Sequence, residues 1–361
     1  MGTVETLQNL CNQIQLPRLH CTIKDSKFYN KINWNGHRYD VELHLGYPAS
    51  LKEQKSIQND LVAQFKAAGF HEGSIQIENN IQPHQVQKDL KPKQGIANII
   101  AVGSGKGGVG KSTVAVNLAI SLAQLGAKVG LLDADIHGPS QPKMLGEEKR
   151  ALISGDKKII PFIRHGVHAV SIGYLIDDEA PTIWRGPMVS GALLQLLNET
   201  DWPLLDYLII DLPPGTGDIQ LTLTQKIPLA GAIMVTTPQD VALLDVAKGL
   251  KMFQKMEVSV LGVIENMSFY HCTHCGHDAS IFGKGGGERL AQEFQLPLLG
   301  TLPLYPPLCT EADLGLPWVA HCPEHPLALS FQEAALNMTS CLALKPINYS
   351  AKLPPIILKS S

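Results

Sequence analysis

The chain has 361 residues, of which 44% are hydrophobic and 17% are charged, and its formal net charge at pH 7 is −3. This length suits one large domain or two of ordinary size, and the apolar fraction is ample for a sizeable core. A charge this close to neutral gives no sign of a nucleic-acid-binding surface.

The first residues and the cysteines bear on the compartment. The opening "MGTVETLQNLCNQIQ" lacks the basic and apolar segments of a secretory signal, and no apolar run approaches the ~20 residues of a membrane span. The cysteine count is seven, and an odd count in a long chain without a signal argues against a disulfide framework. We therefore expect a soluble, cytoplasmic protein with no membrane or nucleic-acid partner.

Residues 1–81 read as a small α+β domain. Helical spacing of apolar residues covers residues 3–16, and two strand-like stretches flank Asn35-Gly36, a strong hairpin signal. An amphipathic helix then runs to Gly69, and "SIQIEN" is typical of a short strand. The order α-β-β-α-β predicts helices packed on one face of a small mixed sheet.

The sequence pattern changes after a polar segment. Residues 82–95, "QPHQVQKDLKPKQG", contain two prolines and no apolar period, so we predict a linker there. Residues 96–343 alternate apolar strands with helices, which predicts an α/β domain whose mostly parallel sheet is covered by helices on both faces. Residues 344–361 form a proline-containing tail that we expect to be irregular. The predicted strands contain "NIIAV", "KVGLLDAD", "YLIIDL", "AIMVTT" and "VLGVIENM".

A phosphate-binding loop follows the first of these strands. Residues 105–112, "GKGGVGKS", match G-x-x-x-x-G-K-[ST] between a strand and a helix. Glycines let backbone N–H groups turn toward phosphate oxygens, Lys111 would bridge the β and γ phosphates, and the Ser112 hydroxyl would bind Mg²⁺. The alternative is a glycine-rich turn without a ligand. The predicted nucleotide-binding residues of this loop are Gly105, Lys106, Gly107, Gly108, Val109, Gly110, Lys111, Ser112 and Thr113.

Carboxylates at later strand ends fit a Mg-nucleotide site. Asp133 and Asp135 follow one apolar strand, and Asp211 ends another. An apolar run that ends in Asp is typical of a carboxylate near Mg²⁺, and the following "PPGTGD" is suited to sensing a γ-phosphate. Taken singly, Asp133 could instead be a helix cap.

The second lysine of the loop, Lys106, carries a family resemblance. "SGKGGVGKS" resembles the deviant Walker A motif of nitrogenase iron protein, MinD and ParA, whose signature lysine reaches the partner's phosphates in a nucleotide-sandwich dimer. The resemblance implies that Lys111 serves its own nucleotide and that Lys106 acts in trans, as an arginine finger does. The alternative is a solvated loop lysine.

Further segments resemble the Mrp/ApbC family of iron–sulfur cluster carrier ATPases, nearly unbroken from residue 99 to 327. The resemblance implies that Asp135 polarises the attacking water with Asp133 nearby, and that Asp211 holds Mg²⁺ through water. It also implies that Gly215 is the switch residue and that Asn266 contacts the purine of ATP. The segments are "DADIHGPSQPKMLG", "WRGPMVSGALLQLL", "DYLIIDLPPGTGD", "TTPQDVALLDVAKGLKMF", "VIENMSFYHCTHCG", "IFGKGGGERLAQE" and "LGTLPL".

Cys272 and Cys275 are close enough to act together. A [4Fe–4S] cluster needs four thiolates, and a two-fold dimer with two cysteines from each chain would supply them, as the family is thought to do. Three alternatives remain open: a zinc site completed by His271, His274 or His277, a redox dithiol, and a pair of unreactive surface thiols.

The N-terminal domain also resembles a small domain fused to many Mrp proteins. That domain often carries a cysteine where this chain has Pro48, Ala49 and Ser50. Direct metal binding by this unit is therefore not expected, and the resemblance favours a docking or regulatory role.

The resemblance as a whole implies a homodimeric ATPase that carries a bridging [4Fe–4S] cluster and delivers it to apo-proteins, with a cluster assembly scaffold as a further partner. A positioning ATPase of MinD or ParA type is the main alternative, although Pro354 and Pro355 interrupt the tail where a membrane-inserting helix would lie. A non-hydrolysing, nucleotide-gated scaffold is the third.

Overall fold

The computed structural model describes residues 3–28, 30–136, 138–147, 152–156, 158–175, 186–272 and 274–348. His137, Trp184 and most of the predicted tail lie outside the described residues. Within these ranges no helix is long and apolar enough to cross a membrane.

The N-terminal region is a three-stranded sheet with helices packed against it. Strand β4 lies in the middle, antiparallel to β3 and parallel to β5. The elements in chain order are α1 (Val4–Gln13), β1 (Gln15–Leu16), β2 (Cys21–Thr22), α2 (Ile23–Ser26), β3 (Asn30–Trp34), β4 (Arg38–Leu45), α3 (Leu51–Ala67) and β5 (Glu72–Asn79), with a 3₁₀ turn at Pro17–Leu19.

The order of the main elements is as the sequence predicts, and local chemistry accounts for it. Gly36 has φ +94°, which makes the turn between β3 and β4 possible without strain. Ser50 caps α3 by accepting a hydrogen bond from Glu53 N–H at 3.2 Å. The predicted helix over residues 3–16 is too long, because α1 ends at Gln13 and Leu16 instead pairs with Cys21 in the ladder of β1 and β2.

The N-terminal region is joined to the rest of the chain through a half-buried arginine, Arg18. Arg18 donates to the Glu53 carboxylate at 3.3 Å, to Glu333 at 2.9 Å and to Asn337 at 2.7 Å. Glu53 belongs to α3, whereas Glu333 and Asn337 lie on the last described helix, Pro326–Ala343. The two regions therefore share a hydrogen-bond network as well as an apolar contact.

The predicted linker, residues 82–95, has fixed contacts. His84 is buried, and its backbone N–H donates to the Asn98 side chain at 3.0 Å. Gln87 is buried too, and its side chain donates to the carbonyls of Thr224 and Ile227 and accepts from Leu229 N–H. The segment thus packs along the following domain.

Strands and helices alternate through the rest of the chain. In chain order they are β6 (Ile96–Ser104), α4 (Lys111–Gln124), β7 (Val129–Asp133), α5 (Gln141–Met144), β8 (Leu152–Ile153), β9 (Ile159–Ile160), β10 (Phe162–Arg164), β11 (Val167–Ser171), α6 (Gly186–Glu199), β12 (Leu205–Asp211), α7 (Asp218–Lys226), β13 (Gly231–Thr236), α8 (Asp240–Lys255), β14 (Val260–Glu265), β15 (Tyr270–His271), β16 (Asp278–Ala279), α9 (Gly286–Glu293), β17 (Leu298–Thr301), α10 (Pro306–Asp313), α11 (Trp318–His321) and α12 (Pro326–Ala343), with a 3₁₀ turn at Ile172–Leu175.

The large sheet has the strand order β10-β11-β7-β12-β6-β13-β14-β17. All neighbours pair in parallel except β10, which turns back antiparallel on β11 at one edge. Five of these strands carry the predicted segments, whereas β10, β11 and β17 are strands that the sequence analysis did not predict. Apolar side chains of α4, α11 and α12 cover one face, and those of α6, α7 and α8 cover the other. The α/β fold with helices on both faces is confirmed.

Candidate functional site

Polar side chains converge where the central parallel strands end. Strands β6, β7 and β12 lie side by side, and the register places Asp211 opposite Asp133. The carboxyl ends of parallel strands share one edge of the sheet, so residues far apart in sequence meet there. The loop after β6 runs along this edge into α4.

Glycines fix the shape of that loop. Gly108 has φ +83° and Gly110, which caps α4, has φ +82°. A side chain at Gly105 would lie 2.4 Å from the backbone of Asp245 on α8, whereas a side chain at Gly107 would meet nothing within 4 Å. The loop therefore leaves its own backbone N–H groups and the N-terminus of α4 as the phosphate-binding surface.

Lys111 is the buried cation of the site, with 5% of its surface exposed. Its ammonium group lies 2.5 Å from Asp211 Oδ1 and 3.4 Å from Asp135 Oδ2. Burial acts to lower the pKa of Lys111, but the neighbouring carboxylates of Asp211 and Asp135 outweigh burial and raise it. Lys111 is therefore charged and held in place before any ligand arrives.

Asp133 is fully buried behind this pair. Its carboxylate accepts hydrogen bonds from Asp135 N–H at 3.2 Å, Gln141 N–H at 3.1 Å and the Ser171 hydroxyl at 2.9 Å. Burial raises the pKa of Asp133 to about 7, with the charge of Asp211 acting in the same direction, although the three hydrogen bonds oppose the shift. Asp133 therefore does more than cap a helix, because its carboxylate joins three separate residues.

Gln141 is a site residue that the sequence reading passed over. Its side-chain NH₂ donates to the Ser112 carbonyl at 3.0 Å and to Asp211 Oδ2 at 2.9 Å, and it is 1% exposed. Its Oε1 is buried and accepts no hydrogen bond from the described residues. The signal was present in "GPSQP", a polar residue directly after the loop that follows β7.

Lys106 lies beside the same loop but in a different environment. It is only half-buried, and its ammonium group donates to Gln239 Oε1 at 3.4 Å, just before α8. Two lysines five residues apart in one loop therefore differ sharply, since Lys111 is locked by carboxylates and Lys106 has a single weak hydrogen bond among the described residues.

Two further predicted residues border the loop. Gly215 has φ +95°, and its N–H donates to the Ser104 carbonyl at 3.0 Å, which ties the segment after β12 to the end of β6. Asn266 is 4% exposed and donates from Nδ2 to the Val109 carbonyl at 2.9 Å. A side chain at Gly110 would lie 2.2 Å from that Nδ2, so the loop and Asn266 are in close contact.

These residues surround a cleft of about 200 Å³. The Ser112 hydroxyl lies 3.4 Å from Lys111 Nζ, and the carboxylates of Asp135 and Asp211 lie next to the same ammonium group. A hydroxyl with two carboxylates is the oxygen donor set that Mg²⁺ prefers, so these side chains fit that ion. The residues that line the cleft are Ser104, Lys106, Gly107, Gly108, Gly110, Lys111, Ser112, Thr113, Asp135, Ser140, Met144 and Pro214.

Cys272 and Cys275 lie outside this cleft, in the turn between β15 and β16. Cys272 N–H donates to the His277 carbonyl at 3.0 Å, and Gly276 N–H donates to the Cys272 carbonyl at 2.8 Å. Hydrogen bonds from the backbone N–H groups of Cys275 and His274, the first being the larger effect, lower the pKa of the Cys272 thiol. The turn thus favours a thiolate at Cys272, with the exposed Cys275 beside it.

The histidines around this turn complete no metal site within the chain as described. His271 Nδ1 lies 2.7 Å from Asp278 Oδ1, which engages that ring nitrogen. Among the described residues, no group of three or more His, Cys, Asp or Glu side chains is arranged to hold a metal ion. In the described part of the chain, the cysteine pair therefore offers two ligands.

Comparison with known proteins gives a family for this arrangement. A family model described as ParA: NUBPL iron-transfer P-loop NTPase matches residues 95–339. The chain is 46% identical over 327 residues to the iron–sulfur cluster carrier protein of Escherichia coli strain K12, with 89% of this chain and 87% of that protein covered. It is 52% identical over 271 residues to the iron–sulfur cluster carrier protein of Pseudomonas fragi, covering 74% and 94% of the two chains.

A solved structure with a bound nucleotide is similar to this chain. The nucleotide-binding protein of Archaeoglobus fulgidus in complex with ADP is similar at a TM-score of 0.57 and 37% sequence identity. The similarity covers 66% of this chain and 92% of that one. The P-loop NTPase fold that the sequence predicts is therefore confirmed.

Proposed function

The chain belongs to the ParA family described as NUBPL iron-transfer P-loop NTPases, and on that premise we propose that it is an ATP-hydrolysing carrier of a [4Fe–4S] cluster held between two copies of the chain. The cluster is its cargo, and apo iron–sulfur proteins receive it. The observation that carries the proposal is a turn that presents two adjacent cysteines and favours the thiolate at Cys272.

The nucleotide half of the proposal rests on the buried charges. A triphosphate in the cleft takes hydrogen bonds from the loop N–H groups and from Lys111, which is already charged and oriented. Asp211 and the Ser112 hydroxyl would hold Mg²⁺, and that ion would supply charge neutralisation of the phosphates. Asp135, 8% exposed and lining the cleft, orients the attacking water.

The proposed dimer rests on two features that one chain leaves incomplete, the weakly held Lys106 and the pair of cysteines. Among the described residues, the ammonium group of Lys106 makes a single hydrogen bond, to Gln239 at 3.4 Å, so little holds it back from the phosphates of a second chain. Two thiolates satisfy half of the four ligands of a [4Fe–4S] cluster, and a two-fold axis through the turns supplies the rest. Both features are completed by the same partner, a second copy.

Nucleotide binding and cluster affinity are coupled in this proposal because one conformational equilibrium of the dimer serves both sites. Asn266 contacts the purine base of ATP, and its neighbours in sequence lead directly to the cysteines. The carrier releases the cluster to an apo-protein in the conformation that binds it less tightly.

The test is iron and acid-labile sulfide analysis of protein purified and reconstituted without oxygen. The wild-type chain should hold about two irons and two sulfides, which is one [4Fe–4S] cluster per dimer. The double variant Cys272→Ala/Cys275→Ala should hold none. Cys309→Ala is the matched control, since Cys309 is an exposed cysteine that belongs to α10 and not to the turn, and it should leave the iron content unchanged.

Two results would contradict the carrier proposal. Iron that persists in the double variant would place the cluster elsewhere. Zinc at about one ion per chain, in place of iron, would indicate a structural metal site at the turn.

A further inference from the structure

Glu265 joins the two ends of the segment that carries the cysteines. It is the last residue of β14, and its carboxylate accepts from the Ser268 hydroxyl at 2.5 Å and from Gly287 N–H at 2.5 Å. Ser268 precedes the hairpin of β15 and β16, and Gly287 lies after it in α9. We call this three-residue arrangement of Glu265, Ser268 and Gly287 the neck of the cysteine segment.

The neck is built around a buried charge. Glu265 is 1% exposed and has no ion pair with any cation of the described residues. Burying an unpaired carboxylate is costly unless hydrogen bonds replace its water, and here one donor lies in the first turn of α9, where the helix dipole favours a negative charge. A side chain at Gly287 would lie 2.9 Å from Glu265 Cβ, so glycine is what lets the carboxylate approach.

One side of the neck leads to the nucleotide loop. Asn266 follows Glu265 directly, and its side chain donates to the Val109 carbonyl in the phosphate-binding loop at 2.9 Å. A purine base that engages the Asn266 amide competes for that donor. Any shift of Asn266 is then transmitted to Ser268, two residues further on.

The other side of the neck leads to the thiols. Ser268 N–H donates to the Leu302 carbonyl at 2.9 Å, and Leu302 N–H donates to the Glu265 carbonyl at 2.8 Å, so the start of the segment is fixed to β14. Only three residues separate Ser268 from Cys272. A short, hydrogen-bonded path therefore runs from the base-contacting residue to the cysteine turn.

We propose that Glu265 is a positioning residue that couples occupancy of the nucleotide site to the placement of Cys272 and Cys275. Its carboxylate holds both ends of the segment, so that a change at Asn266 alters the cysteine turn as a unit. The inference rests on the proposed function and adds to it the contact through which the two sites communicate.

The experiment measures how nucleotide changes the lifetime of the cluster. The half-life of the reconstituted cluster against an iron(II) chelator is followed with and without Mg-ATP, and the ratio of the two half-lives reports the coupling. Iron content and the Kd for ADP are measured on the same samples. We expect a ratio of about fivefold or more for the wild type, the lower end of ordinary coupling between sites.

Two variants break the neck and one preserves it. Ser268→Ala removes one hydrogen bond, and Glu265→Ala removes both. In Glu265→Gln the amide oxygen still accepts from Gly287 while its NH₂ donates to Ser268, whose hydroxyl can turn to accept. We expect the breaking variants to bring the ratio close to one, with iron content and the Kd for ADP near wild type, and Glu265→Gln to keep the wild-type ratio.

Several outcomes would overturn the inference. Ser268→Ala with an unchanged ratio would do so, and this variant decides the matter if Glu265→Ala fails to fold. A wild-type ratio of one in a protein that holds its cluster would refute the coupling while leaving the carrier function intact. A wild-type chain without iron would remove the proposed function and the inference with it.

Discussion

Lys111 and its three aspartates are buried at the edge of the large sheet where its central strands end, whereas Cys272 and Cys275 lie at the surface, on the hairpin of the two short strands β15 and β16. The first group is held by the ends of β6, β7 and β12 together, so its geometry depends on the whole domain. The second is held by backbone hydrogen bonds within the turn and by the neck at Glu265.

The difference shows how the two sites relate to stability. A buried lysine among carboxylates is stable only as a complete set, since removing one charge leaves the others unpaired in a low-dielectric interior. A pair of thiols at the surface, one half-buried and one exposed, carries no such cost. We therefore expect changes at the buried charges around Lys111 to affect folding and activity together, and changes at the cysteines to affect cargo alone.

The largest expected effect is that of Lys111→Ala. Among the described residues Lys111 is the only cation that pairs with Asp211, and a broken buried pair typically costs about 3–5 kcal/mol of unfolding free energy. Loss of a group that stabilises developing charge should also lower ATP hydrolysis by a factor on the order of 10² or more. Urea unfolding and steady-state phosphate release measure the two effects.

Lys106→Ala is the matched control for that experiment. Because Lys106 is half-buried with one 3.4 Å contact, the unfolding free energy should stay within about 0.5 kcal/mol of wild type. Hydrolysis should nevertheless fall, since the proposed role of Lys106 is at the partner's nucleotide. A Lys106→Ala protein with full hydrolysis would contradict the role in trans.

Some residues of the nucleotide site and of the cysteine segment can be predicted from the sequence and others cannot, for a physical reason. Residues 105–112 form a contiguous motif whose chemistry is local. The apolar strands that end in Asp133 and Asp211 indicate that these two carboxylates meet at one edge of the sheet. Gln141 and Glu265 act through hydrogen bonds to residues as far as 70 positions away along the chain. No local pattern records such a partner, so these two residues emerge only from the fold.

Strand β11, next to the edge strand β10, is likewise not predictable from a local pattern, unlike the central strands. Strands such as β12 and β13 are buried on both faces and read as continuous apolar runs. Strand β11 contains His168 and follows a stretch of short, exposed strands, so its pattern is mixed although it pairs with β7. The contacts of residues 82–95 are a further case, because their polar composition predicts a linker but not its fixed position.

The next effect in size is a pH dependence at the nucleotide site. Burial raises the pKa of Asp133 to about 7, so between about pH 4 and pH 7 the native state holds a proton that the unfolded chain has released. The contribution of Asp133 to the unfolding free energy should therefore decline as the pH rises through this window, by up to about 1.4 kcal/mol per pH unit.

Urea unfolding of wild type and Asp133→Asn at pH 5, 6, 7 and 8 measures this contribution. The amide does not titrate, so the variant should have the flatter pH dependence, whatever its absolute stability. Parallel curves for the two proteins would show that Asp133 is ionised across the range.

A smaller effect is expected at Gln141. Gln141→Leu keeps the side-chain volume but removes the hydrogen bonds to the Ser112 carbonyl and to Asp211. Since a hydrogen bond to a charged group contributes about 1.5–3 kcal/mol, the Mg²⁺ concentration for half-maximal hydrolysis should rise about tenfold. Gln225→Leu, an exposed glutamine on α7, is the control and should leave the Mg²⁺ requirement unchanged.

The smallest expected effect is on the stability of the metal-free protein when its cysteines are replaced. The hairpin keeps its backbone hydrogen bonds in Cys272→Ala/Cys275→Ala, and neither thiol belongs to an apolar core cluster. The unfolding free energy should therefore stay within about 0.5 kcal/mol of wild type. Cys11→Ala makes the same chemical change at a fully buried position in the N-terminal core and should cost about 1 kcal/mol or more. If the double variant lost as much stability as Cys11→Ala, the cysteine turn would be part of the packed fold, and the contrast with the buried charges around Lys111 would fail.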